Sequence, residues 1–475
     1  MQRTSKLTRH AAIFLAAILL TISGCSKDKN PAKPPAEDVT RPAAVTNLAA
    51  VSPTSYSMTL TWTATGDDSL SGTASQYDVR YFHSFITEAN WDSAVSVTGV
   101  PIPKPAGSKE VFSFGGLEAS TTYYFALKVA DEKARWSKLS NVVSSSTTAH
   151  AVWMQLDSGL DNPVYALTAY NGELTAAGDF LHVGDAGGVT VNYIASWDGV
   201  SWWPLGSGTD YWVGDISEYN GRLIAGGYFT TAGGVSADHI AAWNGSSWSP
   251  LGSGLDGIAD ALIVYNGRLI ASGDFHTAGG VPANKVGAWD GFSWAPLGLG
   301  IDGSVVALAV YDGRLIAGGN FTTAGGLPAN NIAAWDGSSW SPLGSGMNDY
   351  VSSLVEFEGQ LIAGGNFTMA GGVAANRVAA WNGSSWMPMS LGMDGPVHAL
   401  TVYNRRLIAG GQFLTAGGAS LPGIAGWNGV VWMPLGTGMS GYVIALTVCN
   451  GQLVAGGSFT SAGGVSANNV AAWSD

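Results

Sequence analysis

The chain has 475 residues, of which 66 are Gly, 46% are apolar and only 12% are charged, and its net charge is −13. So high an apolar fraction excludes a disordered chain, and the many glycines favour short strands joined by tight turns. Because the chain is acidic and no basic stripe appears in it, nucleic acid is excluded as a partner.

The first 24 residues have the pattern of a secretory signal. Basic residues precede the apolar run from Ala11 to Ile22, which is too short to span a bilayer permanently. The run ends in Ile-Ser-Gly-Cys, which resembles the lipobox of bacterial lipoproteins. The resemblance implies cleavage before Cys25 and acylation of that residue, including a palmitate-type chain, which anchors the protein in the envelope membrane. Ser26 favours the outer membrane in a diderm cell. An ordinary signal peptide with an unrelated Cys is the alternative.

Residues 25–42 follow as a tether that begins at the lipidated Cys25. The sequence SKDKNPAKPPAEDVTRP is polar and rich in proline, which is typical of an extended spacer.

Residues 43–149 predict a small β-sandwich, since short alternating strands such as Ser57–Thr65 and Thr122–Asp131 are separated by turn signals. Trp62 on the second strand, Leu117 with Tyr123, and Ser140-Asn141 near the end resemble the fibronectin type III pattern. The resemblance implies that Trp62 fills the core and that the Tyr123 hydroxyl bonds to backbone. Such modules serve as spacers or docking surfaces.

A repeat fills residues 150–475. A Trp that precedes Asp-Gly or Asn-Gly in most copies recurs every 46 residues, at Trp197, Trp243, Trp289, Trp335, Trp381, Trp427 and Trp473. A second Trp follows five residues after the first six of these, and Trp153 opens a first copy that is three residues longer. A fixed period of this size indicates a repeat architecture.

Each copy predicts four antiparallel strands. In the fourth copy these are Val305–Gly313, Arg314–Thr322, Asn331–Gly337 and Ser338–Gly344, with Asp-Gly hairpins inside each pair and AGGLPAN as a connecting loop. Four strands per 40–50 residues is typical of a β-propeller blade. The Gly-Gly that closes the second strand and the Trp on a later strand resemble kelch-like repeats of bacterial and fungal surface proteins, including the cortical-marker type.

The two ends of the array complement each other. It opens at Ala151–Asp157, which matches a fourth strand, and stops at Asn468–Asp475, which matches a third. The fold class is therefore all-β: a fibronectin type III sandwich followed by a seven-bladed β-propeller closed by pairing of its N- and C-terminal strands. Closure removes exposed strand edges, whereas a linear solenoid would leave two uncapped partial units.

The repeated tryptophans are interpreted as packing between blades, with each indole N–H bonded to a carbonyl. Repeated ligand pockets of the lectin type are the alternative. Each copy offers only one or two turn oxygens to a cation, fewer than the six to eight ligands of calcium, so no metal and no cofactor is predicted.

Function is expected where the copies differ, because packing requires them to agree. The start of the first strand is the most uneven segment, and it rings one mouth of the central channel. The candidate ligand-binding residues are Tyr165, Trp212, Asp260, Tyr350, Ser352, His398 and Tyr442. Aromatic faces with a few polar groups suit sugars or peptides. The alternative is that these are tolerant surface positions.

Little in the sequence indicates catalysis. The nearest approach to paired carboxylates is the set Asp215, Glu218, Asp260 and Glu356 on first strands, and no metal-ligand spacing is present. We therefore expect a non-enzymatic surface or periplasm-facing lipoprotein that binds protein or glycan. An extracellular polysaccharide hydrolase or lyase and a purely structural spacer are the alternatives.

Overall fold

The computed structural model describes residues 40–53, 55–148, 152–184 and 187–474. Over these ranges the regular structure is β, apart from one 3-10 turn at Trp91–Ser93. No helix in the described ranges has the length and hydropathy needed to cross a membrane. The expectations for the signal segment and for lipidation of Cys25 lie outside the described residues.

The first domain is a sandwich of two antiparallel sheets. The strands of the first sheet are Ala49–Val51, Ser57–Thr63 and Lys109–Gly115, and those of the second are Val95–Ser96, Gln76–Phe82, Thr122–Ala130 and Val143–Ser146. Alternate residues of Ser57–Thr63 are buried, as a half-buried strand requires. Trp62 packs edge-on against Tyr77 in the core, and the Tyr123 hydroxyl accepts a bond from the Glu118 N–H at 2.9 Å. Both residues have the roles expected of them.

Seven four-stranded antiparallel sheets follow and form the blades of a propeller. The first strands of blades 1 to 7 are Val164–Tyr170, Val213–Tyr219, Ile258–Tyr265, Ser304–Tyr311, Val351–Phe357, Val397–Tyr403 and Tyr442–Cys449. The second strands are Glu173–Gly178, Arg222–Gly227, Arg268–Asp274, Arg314–Asn320, Gln360–Gly365, Arg406–Gly411 and Gln452–Ser458. The third strands are Ile194–Trp197, Ile240–Trp243, Val286–Trp289, Ile332–Trp335, Val378–Trp381, Ile424–Trp427 and Val470–Ser474. The fourth strands are Trp202–Pro204, Trp248–Pro250, Trp294–Pro296, Trp340–Pro342, Trp386–Pro388, Trp432–Pro434 and, in blade 7, Val152–Gln155.

The segment expected to be a connecting loop forms a two-stranded ribbon in blades 2 to 7. The ribbons pair Thr231–Ala232 with Val235–Ser236, Thr277–Ala278 with Val281–Pro282, Thr323–Ala324 with Leu327–Pro328, Met369–Ala370 with Val373–Ala374, Thr415–Ala416 with Ala419–Ser420, and Ser461–Ala462 with Val465–Ser466. The reason is the Gly-Gly pair at each turn. Gly325 and Gly326, for example, have φ of 59° and 79°, and two successive positive φ angles make the tight turn that joins hairpin strands.

The ring closes as predicted. Val152–Gln155 pairs antiparallel with Val470–Ser474, which places Trp153 opposite Trp473. The N-terminal strand of the array therefore completes the last blade. At this seam, where the first and last strands meet, each strand has the other as its partner.

The repeated tryptophans bind neighbouring blades together. One hydrophobic cluster lies at each of the seven interfaces between blades. The fourth-strand indoles are at most 6% exposed, and each donates its N–H to a carbonyl of the preceding blade. These bonds are Trp153–Leu435, Trp202–Leu156, Trp248–Leu205, Trp294–Leu251, Trp340–Leu297, Trp386–Leu343 and Trp432–Met389, with N···O distances from 2.8 to 3.4 Å. These contacts show the packing role expected of the tryptophans. The bond expected of every indole is not made at Trp381 on a third strand, whose buried N–H has no hydrogen-bond partner among the described residues.

The sandwich contacts the propeller at the hairpin between the first two strands of blade 6. The Arg406 guanidinium donates to the Tyr56 hydroxyl at 2.6 Å and lies 5.6 Å from the centre of its ring. The preceding residue, Arg405, has a φ of 60°, at a position where the other six blades have Gly. Blade 6 therefore departs from the repeat where it meets the sandwich.

Candidate functional site

Each first strand contains a β-bulge close to its start. In blade 4, Val305 pairs with Gly319 and Ala307 pairs with Gly318, so Val306 has no partner on the second strand. The same shift occurs in all seven blades. An extra residue on one strand bends that strand and changes the direction of its side chain. Each blade thus presents one unpaired residue near the channel.

The second glycine of the Gly-Gly motif makes room for the bulge. A Cβ at Gly319 would lie 2.0 Å from the Ser304 carbonyl oxygen, and one at Gly365 would lie 2.1 Å from the Tyr350 carbonyl oxygen. Equivalent approaches of 2.0 to 2.4 Å occur at the matching glycine of every other blade. Only a residue without a side chain fits there. The motif that marks the repeat in the sequence therefore also shapes the channel.

The bulge residues surround a cavity of about 530 Å³ at one end of the central channel. We call it the channel cavity. It is lined by the seven bulge residues together with Trp212 and Tyr350, which precede the bulges of blades 2 and 5: Tyr165, Gly214, Asp260, Val306, Ser352, His398, Ile444, Trp212 and Tyr350. The bulge positions of the seven blades are structurally equivalent, and they place seven different residues around the channel cavity.

Six of the seven candidate residues line this cavity. They are Tyr165, Trp212, Asp260, Tyr350, Ser352 and His398. Tyr442 does not, although it occupies the same strand position as Trp212 and Tyr350. It pairs regularly with Ser458 and is 46% exposed, so its ring faces solvent on the same side of the propeller.

The charge of the channel cavity depends on one carboxyl group. Burial, with a smaller contribution from Asp274, raises the pKa of Asp260 to about 6. Burial and the nearby Asp260 raise the pKa of Tyr350 to about 12, so its hydroxyl stays protonated. Burial lowers the pKa of His398, which favours its neutral form. None of the nine lining residues is Lys or Arg, so the cavity does not favour anionic ligands.

The other candidate carboxylates do not line the cavity. Asp215 accepts bonds from the N–H groups of Ile216 at 2.8 Å and Leu262 at 2.7 Å, so it links blade 2 to blade 3. Burial raises its pKa to about 7. Glu218 and Glu356 are exposed, three or more residues beyond the bulges. Asp215 is close enough to Asp260 for the two charges to interact, but among these four carboxylates only Asp260 lines the cavity.

Three aromatic residues that were not anticipated continue outward from Tyr165 and Trp212. The ring centres of Tyr165 and Trp212 are 6.1 Å apart, and Trp212 stacks on Tyr228 at 6.0 Å with an interplanar angle of 15°. Tyr228 contacts Tyr211 at 5.4 Å, and Tyr211 contacts Tyr193 at 6.0 Å. We call these five residues the aromatic strip. The sequence signal was Tyr228 itself, since the aligned residues of the other blades are Asp, Asn, Gln or Ser.

Over the described ranges, no group of three or more His, Cys, Asp or Glu side chains is arranged to hold a metal ion. Two such side chains form a pair in blade 1, where the His182 Nδ1 atom lies 2.9 Å from the Asp161 Oδ2 atom. Asp161 also accepts the N–H groups of Leu181 and His182, so this carboxylate holds the turn of the blade 1 loop.

Two family models match parts of the chain. The fibronectin type III domain model matches residues 43–146, and a β-propeller domain of unknown function (DUF5122) matches residues 312–333 and 450–471. The second match covers a hairpin and the following strands in blades 4 and 7.

The similar curated proteins share only a small region with this chain. It is 35% identical over 123 residues to calcium-activated chloride channel regulator 1 of Mus musculus, which is 24% of this chain and 13% of that protein. It is 32% identical over 143 residues to chitinase A1 of Niallia circulans, covering 29% of this chain and 17% of that protein. The chitinase match covers a fibronectin-like region. The chain therefore spans less than a fifth of the length of either relative.

Two solved structures were also matched. The sensor domain of the anti-sigma factor RsgI4 from Pseudobacteroides cellulosolvens is 20% identical with a TM-score of 0.17, over 24% of this chain and 99% of that one. The FN1–FN3 domains of chicken CNTN1 are 11% identical with a TM-score of 0.19, over 54% of this chain and 96% of that one. From the family matches and the strand topology together, the chain is a fibronectin type III domain followed by a β-propeller.

Proposed function

We propose that this protein is a non-enzymatic binding module of the bacterial envelope, which holds a neutral glycan in the channel cavity. The observation that carries the proposal is the set of bulges. Seven equivalent backbone positions present seven different residues to one cavity of about 530 Å³, a volume in the range of small-ligand sites. Packing between blades does not require these residues to differ.

The lining favours a glycan over other ligands. Trp212, Tyr165 and Tyr350 offer apolar ring faces to sugar C–H groups, and Asp260, Ser352 and His398 offer hydrogen-bond partners to hydroxyls. The lack of Lys and Arg in the lining disfavours uronates and phosphorylated ligands. A protein ligand that inserts a neutral side chain is the second candidate, since the same groups would bind it.

A glycan array and a protein pull-down with the purified chain test this proposal. We expect neutral glycans to bind, and Trp212→Ala with Tyr350→Ala to reduce binding at least tenfold. Tyr442→Ala is the matched control, because it changes the same strand position outside the cavity. Equal binding by the cavity variant and the control would remove the cavity as the site.

The same ligand distinguishes binding from catalysis. Only Asp260 among the candidate carboxylates lines the cavity, whereas glycoside hydrolysis ordinarily needs two. We therefore expect the bound glycan to be recovered intact after long incubation. Release of shortened products by the wild type, and its loss in Asp260→Asn, would establish the hydrolase or lyase alternative instead. A chain that binds nothing in either assay would be the structural spacer.

We propose further that Cys25 carries the lipid anchor. The basic start, the apolar run and Ile-Ser-Gly-Cys support export and acylation. Labelled palmitate should enter the wild-type chain and not Cys25→Ala, and the variant should move from the membrane fraction to the soluble fraction. Equal labelling of both would exclude Cys25 as the acylated residue.

A further inference from the structure

The aromatic strip leads from the channel cavity outward over blades 1 and 2. Tyr165 and Trp212 line the cavity, and Tyr228, Tyr211 and Tyr193 continue from them with successive ring-centre distances between 5.4 and 6.1 Å. Tyr211 is 47% exposed and Tyr228 is 50% exposed. The strip is therefore a continuous row of rings that begins inside the cavity and ends on the solvent-facing surface.

The fold does not require this row. At the position of Tyr211 the other blades have Asn162, Gly257, Gly303, Asp349, Gly395 and Gly441. At the position of Tyr228 they have Asp179, Asp274, Asn320, Asn366, Gln412 and Ser458. Six blades adopt the same strands and bulges with small or polar residues at these two places. The tyrosines of blade 2 are thus additions to the repeat on the side of the molecule that carries the cavity.

The surroundings of the strip are polar and acidic. Burial raises the pKa of Tyr193, with smaller contributions from Asp179, Tyr211 and Asp210, so two carboxylates lie close to its hydroxyl. Asp210 also holds the adjoining turn, accepting the N–H and hydroxyl of Thr230. Ring faces beside hydroxyls and carboxylates suit a ligand that has both C–H faces and hydroxyl groups, and the carboxylates repel an anionic chain.

We propose that the aromatic strip is an extended subsite for a linear neutral polysaccharide whose terminal unit occupies the channel cavity. This inference rests on the proposed glycan function and adds the length and direction of the ligand. The chain runs from the cavity across blade 2 toward Tyr193 and Tyr211. Sugars with equatorial substituents present C–H groups on both faces. Because neighbouring rings are inclined by 15 to 88°, successive units pack against the exposed surfaces of successive rings rather than on one flat platform.

The test is calorimetry on the full chain with β-1,4-linked glucose and N-acetylglucosamine oligomers of one to six units. The strip variant is Tyr211→Gly with Tyr228→Asn, which introduces residues that other blades already carry at these positions and so preserves the fold. Tyr442→Ala is the control, because Tyr442 is equally exposed on the same side, on blade 7. Thermal melting of all three proteins checks that they are folded.

In the wild type and in the control we expect affinity to rise about tenfold or more between one and four units, since each stacked ring contributes binding free energy. In the strip variant this rise should fall below about threefold, while affinity for one unit stays within about twofold of the wild type. A length dependence that is unchanged in the strip variant would overturn the extended subsite and leave the proposed function intact. Failure of both oligomer series to bind would overturn the subsite. If no neutral glycan binds on the array either, or an oligolysine peptide is preferred, the glycan function is overturned as well.

Discussion

Equivalent residues of the blades are mostly alike at one end of the propeller channel and different at the other. At the hairpin end, Tyr170, Tyr219, Tyr265 and Tyr311 each donate a hydroxyl to a glycine carbonyl of the next blade, at 3.1 to 3.4 Å. At the seam, Cys449 has no such hydroxyl, and Asn450 donates to Gly172 at 3.0 Å instead. At the bulge end, by contrast, the seven equivalent residues differ in size, charge and polarity.

This difference follows from what the residues at each end contact. Where a side chain contacts the next blade, nearly every copy keeps the same contact or replaces it with an equivalent one. Where the bulge frees a side chain from the ladder, the copies diverge. The stability of the ring and the shape of the channel cavity therefore depend on separate sets of residues, and substitutions should separate them.

The largest effect is expected at a tryptophan between blades. Trp294→Ala removes an indole that is 6% exposed and its bond to Leu251, so we expect a loss of about 3–5 kcal/mol in the free energy of unfolding. Trp212→Ala, in the channel cavity, should cost about 1 kcal/mol, in the range of ordinary substitutions. Urea unfolding measures both. Similar losses in the two variants would contradict the separation of the two ends.

The next effect depends on pH. The pKa of Asp215 is about 7 in the folded chain, above its usual 3.8, so the folded state loses stability relative to the unfolded state as pH rises from about 4 to about 7. Asp215→Ser removes the charge, and Ser353 shows that a hydroxyl accepts the equivalent N–H, from Leu400 at 2.9 Å.

We therefore expect Asp215→Ser and the wild type to be similarly stable near pH 4, and the variant to be more stable above pH 7 by on the order of 1–3 kcal/mol. Thermal or urea unfolding at a series of pH values measures the difference. Because the Asp260 charge also raises the pKa of Asp215, Asp260→Asn in both backgrounds separates the contribution of Asp215 from that of the pair. A difference that does not change between pH 4 and pH 8 would contradict the raised pKa.

A smaller effect is expected at the hairpin end. Tyr311→Phe removes only the hydroxyl that donates to Gly359 at 3.2 Å, and we expect a loss of about 1 kcal/mol in the free energy of unfolding. Phe357 already lacks this hydroxyl in blade 5, so the ring tolerates one such loss. The control is Tyr442→Phe, whose side chain is exposed and whose stability should not change. Equal results for both would mean that the hydroxyl contacts do not join the blades.

The smallest change in stability is expected where the sandwich meets blade 6. Arg406→Gln removes the bond and the ring contact with Tyr56, at a cost below about 1 kcal/mol, because both groups are partly exposed. Pulsed electron-spin distances between labels on the sandwich and on blade 6 should nevertheless broaden. Arg314→Gln changes the same position in blade 4, far from Tyr56, and should leave the distances unchanged. Identical distributions would show that this contact does not orient the sandwich.

Much of the fold could be predicted because its signals are periodic. The tryptophans at 46-residue intervals and the matching ends gave the blade count and the closure, and Trp62 with Tyr123 indicated the sandwich. The ribbons were not predicted because a two-residue strand is too short to show alternation in the sequence, although Gly325-Gly326 is a hairpin signal by itself.

The candidate site was predicted in part. Six of the seven residues line the channel cavity because the variable position in the sequence is the bulge position in the structure. The direction of Tyr442 could not be predicted, since it shares a strand position with Trp212 and Tyr350 and differs only in its surroundings. Tyr165 and Trp212 were candidate residues, but the other three rings of the aromatic strip were missed, because the strip draws on four separate segments that meet only after blades 1 and 2 have packed.

The seam between the first and last strands also constrains the order of folding. Blade 7 is complete only when Trp153 pairs with Trp473, which lies 320 residues later in the chain. Pairings between such distant segments form late, because the intervening chain must first be brought together. For an exported chain, the seventh sheet would assemble only after nearly the whole polypeptide has emerged from the translocation channel. Until then Val152–Gln155 has no partner strand, and its open edge is the point at which aggregation or chaperone binding during export is expected.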